Sequence, residues 1–151
     1  MNNQPGSPTH CTEARERRQT VGVRALVFDI RSRVLLVKHT YRSGWHTPGG
    51  GVNDRESPHL AIVREVWEET GIRPVEPPRL HSVHINSSEA ADDFPMIFVM
   101  KGIDCEPVIQ DRAEILEAAW FYPDDLPFDI TSKTRTRINE YLNGLEPSPT
   151  W

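Results

Sequence analysis

The sequence predicts an α/β domain in which a mixed sheet is covered by helices. Short β-branched runs and amphipathic stretches follow one another in the order strands, helix, strands, helix. Gly and Pro fall between these runs rather than inside them. The 151 residues make one domain of ordinary size, and a chain of about that length buries roughly two-thirds of its unfolded surface.

Residues 21–30 (VGVRALVFDI) and 34–39 (VLLVKH), separated by Arg31-Ser32-Arg33, read as a hairpin. A Gly/Pro-punctuated loop over 43–55 leads to a helix over 57–70. Pro58 sits in its first turn, where the missing N–H costs nothing, and Gly71 sits at its stop. Strands are expected over 80–85, 96–101 and 118–122, and a final amphipathic helix over 131–142. Residues 1–18 have almost no apolar content and read as a mobile tail, as do residues 146–151. The domain proper is expected over 19–145.

Composition narrows the function classes. A net charge of −5 gives no basic face, which argues against a nucleic-acid partner. No apolar run approaches a membrane span, and the first residues show no basic-then-apolar leader, so a cytoplasmic protein is expected. Cys11 and Cys105 lack zinc spacing and read as two reduced thiols.

The chemistry is concentrated in 49–72 (GGGVNDRESPHLAIVREVWEETGI). On a helical wheel Leu60, Ile62, Val63, Val66, Trp67 and Thr70 share one broad arc, which predicts a core face with Trp67 in the core. Glu65, Glu68 and Glu69 fall on the opposite arc at i, i+3 and i+4. Three like charges so spaced repel, and their pKa values rise in a cleft unless a cation is present. Magnesium or manganese is the natural cation for such oxygens. Arg64, four residues before Glu68, can hold that carboxylate, and the preceding glycines let a main-chain carbonyl approach. The alternative is a plain solvated helix face.

This stretch resembles the Nudix hydrolase signature, Gx5Ex7REUxEExGU with U a bulky aliphatic. Gly50, Glu56, Arg64, Glu65, Val66, Glu68, Glu69, Gly71 and Ile72 match every specified position. A chance match is on the order of 10⁻⁸ from average residue usage. The resemblance implies an α/β/α sandwich and hydrolysis of a nucleoside diphosphate linked to another moiety, with Mg2+ as cofactor and Mn2+ as a substitute. It implies that Glu65, Glu68, Glu69 and the Gly49 carbonyl bind metal. Glu65 would also be a candidate base, Arg64 would orient the cluster, and Glu56 would be secondary. Many members dimerise, so a homodimer is allowed.

Members often recruit a further carboxylate from a loop outside the box. Here Glu114, with Asp111 beside it, and the 89–93 stretch (Glu89, Asp92, Asp93) are the candidates. Arg42 is a candidate phosphate clamp, and Tyr41 and Trp45 are candidate stacking residues. The alternative for Trp45 is packing under the loop. His39 lies on the same approach, and His46 and His84 are weaker substrate contacts. The substrate implied is a nucleotide sugar such as ADP-ribose, or a nucleoside triphosphate. Alternatives are a non-catalytic sensor of a nucleotide derivative and an RNA 5′-pyrophosphohydrolase.

Overall fold

The computed structural model describes residues 18–88 and 91–151. The tail expected over 1–18 therefore lies outside the described residues, apart from Arg18, which opens the first strand. Among the described residues, β1 (Arg18–Asp29) and β6 (Ala91–Ile103) form the centre of one mixed sheet. They pair in parallel from Arg18↔Ala91 to Val27↔Met100. β2 (Val34–His39) turns back antiparallel to β1. It also pairs with β3 (Trp45–His46) and β7 (Ile115–Phe121). β4 (Arg79–Val83) and β5 (Asn86–Ser87) lie antiparallel to β6. The β1–β2 turn is held by the Asp29 carboxylate, which accepts from the Arg31 and Arg33 amides at 3.0 and 2.7 Å.

Alternation along the strands builds two cores, because successive side chains leave opposite faces. Val23, Ala25 and Val27 of β1 join Phe98 and Met100 of β6 beneath α1 (Pro58–Thr70), against Ala61, Ile62 and Val66. Leu26, Phe28, Ile97 and Val99 leave the other face and meet Ile138 of α2 (Ser132–Leu142). The result is the expected α/β/α sandwich. Each helix has the cap its sequence calls for: the Ser57 side chain accepts from the Leu60 amide, and Gly71 closes α1 in the left-handed region at φ 69°. Thr131 caps α2 in the same way as Ser57 caps α1.

The buried arc of α1 is turned from the expected one. Trp67 is 37% exposed and Leu60 is 65% exposed, so neither is core. The Arg73 guanidinium lies over the Trp67 ring at 5.0 Å. Ala61 and Glu69 are buried instead. Glu69 follows Ile62 by seven residues and so lies about 20° from it on the wheel. Once the small Ala61 faces the sheet, Glu69 goes under with Ile62.

The sheet elements run longer than the apolar pattern. β6 starts at Ala91, so Asp92 and Asp93 are strand residues and not part of a loop; Glu89 lies outside the described residues. The short β3 and β5 carry no periodicity to read. The 146–151 segment, expected as a tail, lies against the fold. Ile85 N–H donates to the Pro149 carbonyl and Trp151 N–H to the Ile85 carbonyl, both at 2.9 Å. His84 is buried there beside the Trp151 ring, well away from the carboxylates. No helix of the described residues is long and apolar enough to cross a membrane.

Candidate active site

Among the described residues, the first half of β1 has no strand on the side away from β6. The 48–52 turn fills that edge: Ala25 and Val23 amides donate to the Pro48 and Gly50 carbonyls, and the Val52 amide to the Val21 carbonyl. Gly49 takes φ 142°, and a side chain there would run into the Val23 carbonyl. The turn thus lies flat on β1 with its glycines facing the carboxylate side of α1. A Cβ on Gly50 would sit 2.5 Å from the carboxyl atoms of Glu65.

A cleft of about 490 Å³ opens over this turn, lined on its polar side by Arg24, Arg42, Glu65, Glu68, Asp93 and Glu114. Tyr41 and Gly49 to Gly51 also line it. Arg64 organises one end. Its Nε and Nη2 meet the two Glu56 oxygens at 2.8 Å each, Nη1 reaches Glu65 at 2.7 Å and Glu68 at 3.0 Å, and Nη2 donates to the Gly51 carbonyl at 3.0 Å. The bond to Arg64 holds the Glu56 carboxyl down at about 2, and the bond to Glu56 pushes the guanidinium pKa up in turn. Glu65 is half-buried, and burial, opposed by Arg64, leaves its pKa above the usual carboxylate range.

Glu69 stands at the other end and is 2% exposed. Its Oε2 accepts from the Gly49 amide at 3.0 Å, while Oε1 has no hydrogen-bond partner among the described residues. Burial pushes this carboxyl up to about 8. His39 lies behind it with a fully buried side chain, Nε2 being 3.8 Å from Glu69 Oε1 and 3.0 Å from Arg42 Nη2. Burial, reinforced by Arg42, lowers the imidazole to about 4, so it is neutral at physiological pH. Tyr41 donates to Glu114 at 3.3 Å, and the Arg42 guanidinium lies over the Tyr41 ring at 5.5 Å.

The structure therefore brings Glu65, Glu68, Glu69, Gly49, Arg64, Tyr41, Arg42 and Glu114 to one place. Trp45 is not among them. It is 6% exposed in the α2-side core, edge-on to Phe121 at 4.9 Å, because its pairing with Lys38 points it through the sheet. His39 underlies Arg42 and does not line the cleft. His46 is tied to the Ser43 carbonyl. Asp111 accepts from the Ala113 amide and shapes the turn before Glu114.

One lining residue, Arg24, escapes the sequence reading, whereas Asp93 of the 89–93 stretch lines the cleft as a candidate carboxylate. Arg24 is half-buried, and burial, aided by Arg42, lowers its pKa; its Nη1 donates to the Val23 carbonyl. Asp93 accepts from the Thr20 hydroxyl at 2.7 Å. The signal for Arg24 was a cation inside an otherwise apolar strand.

Glu65 and Glu68 on the cleft wall, with the unpartnered oxygen of Glu69 behind Gly49, are oxygen donors of the kind a hard divalent cation takes. His39, Glu69 and Glu114 also each present a ligand atom within 4.8 Å of the others.

Known proteins agree with this geometry. The chain is 29% identical over 131 residues to a MutT-like protein of Streptomyces ambofaciens, spanning 85% of this chain and 80% of that one. It is 34% identical over 124 residues to the NAD-capped RNA hydrolase NudC of Escherichia coli O157:H7, spanning 78% of this chain and 46% of that protein. The MutT NUDIX hydrolase of Burkholderia pseudomallei superposes with a TM-score of 0.71 at 27% identity, over 82% of this chain and 98% of that one. Residues 18–141 match the family described as NUDIX domain. With the carboxylate helix, the glycine turn and the sandwich all in place, the chain belongs to the Nudix family and is a pyrophosphohydrolase.

Proposed function

We propose that this chain hydrolyses the pyrophosphate linkage of a nucleoside diphosphate derivative, either a nucleotide sugar such as ADP-ribose or a nucleoside triphosphate, with magnesium or manganese. The observation that carries the reading is that Glu65, Glu68 and Gly49 line one open polar cleft while Glu69, on the same helix, is buried behind Gly49 and bonded to its amide. A relative named for hydrolysing an NAD cap supports a nucleotide-type substrate.

Glu65, Glu68, Glu69 and the Gly49 carbonyl would hold the divalent cation. Bound there, it neutralises phosphate charge and lowers the pKa of a water ligand. Arg64 fixes Glu65 and Glu68 through its fork of hydrogen bonds, so neither has to be reoriented on binding. Glu65, half-buried with a raised pKa, is the group suited to take a proton from the attacking water. Arg42 stands across the cleft with an exposed guanidinium that can clamp a phosphate, and Tyr41 offers a ring for a base or sugar.

The test is phosphate release, through a coupled phosphatase, over nucleoside triphosphates, dinucleotides and nucleotide sugars. It is run with magnesium, with manganese and with chelator. Chelator-sensitive turnover of one substrate class is expected. In Glu68→Gln it should fall by a factor of about 10² or more, the scale of losing one electrostatic contact to the transition state. Undiminished turnover in a folded Glu68→Gln protein would overturn the assignment.

A further inference from the structure

Behind the carboxylates, His39 turns a ring nitrogen toward an oxygen of Glu69 that has no hydrogen-bond partner among the described residues. Arg42 has only N–H donors, so its 3.0 Å contact to His39 Nε2 favours a lone pair on that nitrogen and the ring proton on Nδ1, which has no partner among the described residues. Glu69 Oε1 lies 3.8 Å from the same nitrogen, and as a carboxylate oxygen it too offers a lone pair. Both side chains are almost wholly shielded from solvent. A buried, unpartnered carboxyl oxygen and a ring nitrogen at that distance are spaced to share a cation, which would satisfy the oxygen that folding leaves alone. Glu114 brings a third ligand atom within 4.8 Å of both, and Tyr41 and the Thr40–Glu114 backbone bond hold it in position. One cation already touches the nitrogen: the guanidinium of Arg42, an exposed residue that lines the cleft.

We propose that His39 Nε2 is a direct ligand of a divalent cation held with Glu69 Oε1 and Glu114, so that one metal position in this chain has a nitrogen donor and favours manganese, cobalt or zinc over magnesium. Imidazole suits the borderline first-row ions, whereas magnesium keeps to oxygen. The inference rests on the proposed metal site and adds a ligand and a selectivity to it. It also accounts for a histidine buried where an apolar residue would cost less to desolvate.

Manganese is the probe. The full-length protein is stripped with chelator and titrated with Mn2+, and pulsed electron paramagnetic resonance is used to look for the nitrogen coupling of a ligated imidazole. The coupling is expected in the wild type. It should vanish in His39→Gln and in His39→Asn, and persist in His46→Gln, the neighbouring ring 5.6 Å away. In the same variants the preference for Mn2+ over Mg2+, from competition titrations, should fall about tenfold or more, as ligand-sphere changes commonly cost that much.

Nitrogen coupling absent from the wild type, or retained in both His39 variants, overturns the inference. If Mn2+ binds without nitrogen coupling and Glu68→Gln weakens it, the carboxylate site stands and only the histidine ligand falls. If Mn2+ does not bind the wild type, or binds without regard to Glu68→Gln and Glu69→Gln, the metal reading falls with it.

Discussion

The two ends of the carboxylate set are solved in opposite ways. Around Arg64 every charge has an answer: one planar fork serves Glu56, Glu65 and Glu68 and still donates to a backbone carbonyl. Around Glu69 the chain leaves a buried oxygen without a donor and sets a neutral imidazole next to it. The first region is held in place by folding alone. The second keeps an oxygen without a donor among the described residues. Residues of identical type on one helix thus differ in whether the fold already sets a cation beside them.

The glycine turn gives the sharpest break of this contrast. Gly49→Ala forces an L side chain to φ 142° and into the Val23 carbonyl, at the Glu69 end. It should cost about 3–5 kcal/mol in urea unfolding, the sum of backbone strain and overpacking. Gly50→Ala meets only the movable end of Glu65. It should leave the unfolding midpoint within about 1 kcal/mol of wild type and yet lower kcat about 10–100-fold, because a displaced carboxylate is a misplaced one. Equal losses of stability in both would show that the turn is a structural unit throughout.

Acid and base should then act on the two ends in opposite directions. Glu56 is held at about 2, below its ordinary value of 4.5. Its contribution is present above pH 4.5 and is lost as pH falls toward 2, and Glu56→Gln should flatten that acid limb of a Tm profile. Glu69 is raised to about 8. Its contribution is complete below pH 4.5 and is lost as pH rises through 8, so the chelated protein should weaken over that window. Glu69→Gln should remove the slope, and added Mg2+ should raise Tm more at pH 8 than at pH 6. A flat profile in chelated wild type would mean that Glu69 has a counter-charge after all.

The smallest effect belongs to a residue on the same helix outside both regions. Trp67→Ala should cost about 1 kcal/mol, well under the 3–5 kcal/mol of a fully buried tryptophan, since the indole is 37% exposed under Arg73. Thermal unfolding checks it.

Most of the architecture is written in local pattern. Alternating β-branched runs, Ser57-Pro58 at one end of α1 and Gly71 at the other, and Thr131 before α2 are each readable without knowing what they pack against. The carboxylate constellation is readable as well, since i, i+3, i+4 spacing fixes its members relative to one another. What escapes is whatever depends on how a helix is rolled on its sheet. Trp67 and Leu60 belong to an apolar arc by composition, but the small side chain of Ala61 lets the helix seat differently, and Glu69 is drawn under. Trp45 shows the same limit for a two-residue strand, whose partner Lys38 decides which face it leaves. Asp93 and Thr20 meet only because β1 and β6 run parallel, a register that no short window contains.

That parallel register also has a kinetic meaning. β1 and β6 are joined by a ladder that begins at Arg18↔Ala91, with β2, the glycine turn and the whole of α1 in the intervening chain. Loop-closure entropy over that span is lost before the first ladder bond repays it. On a ribosome the cleft therefore cannot take shape until β6 has emerged, whereas α1 and the β1–β2 turn, made of near neighbours, can form as soon as they are synthesised.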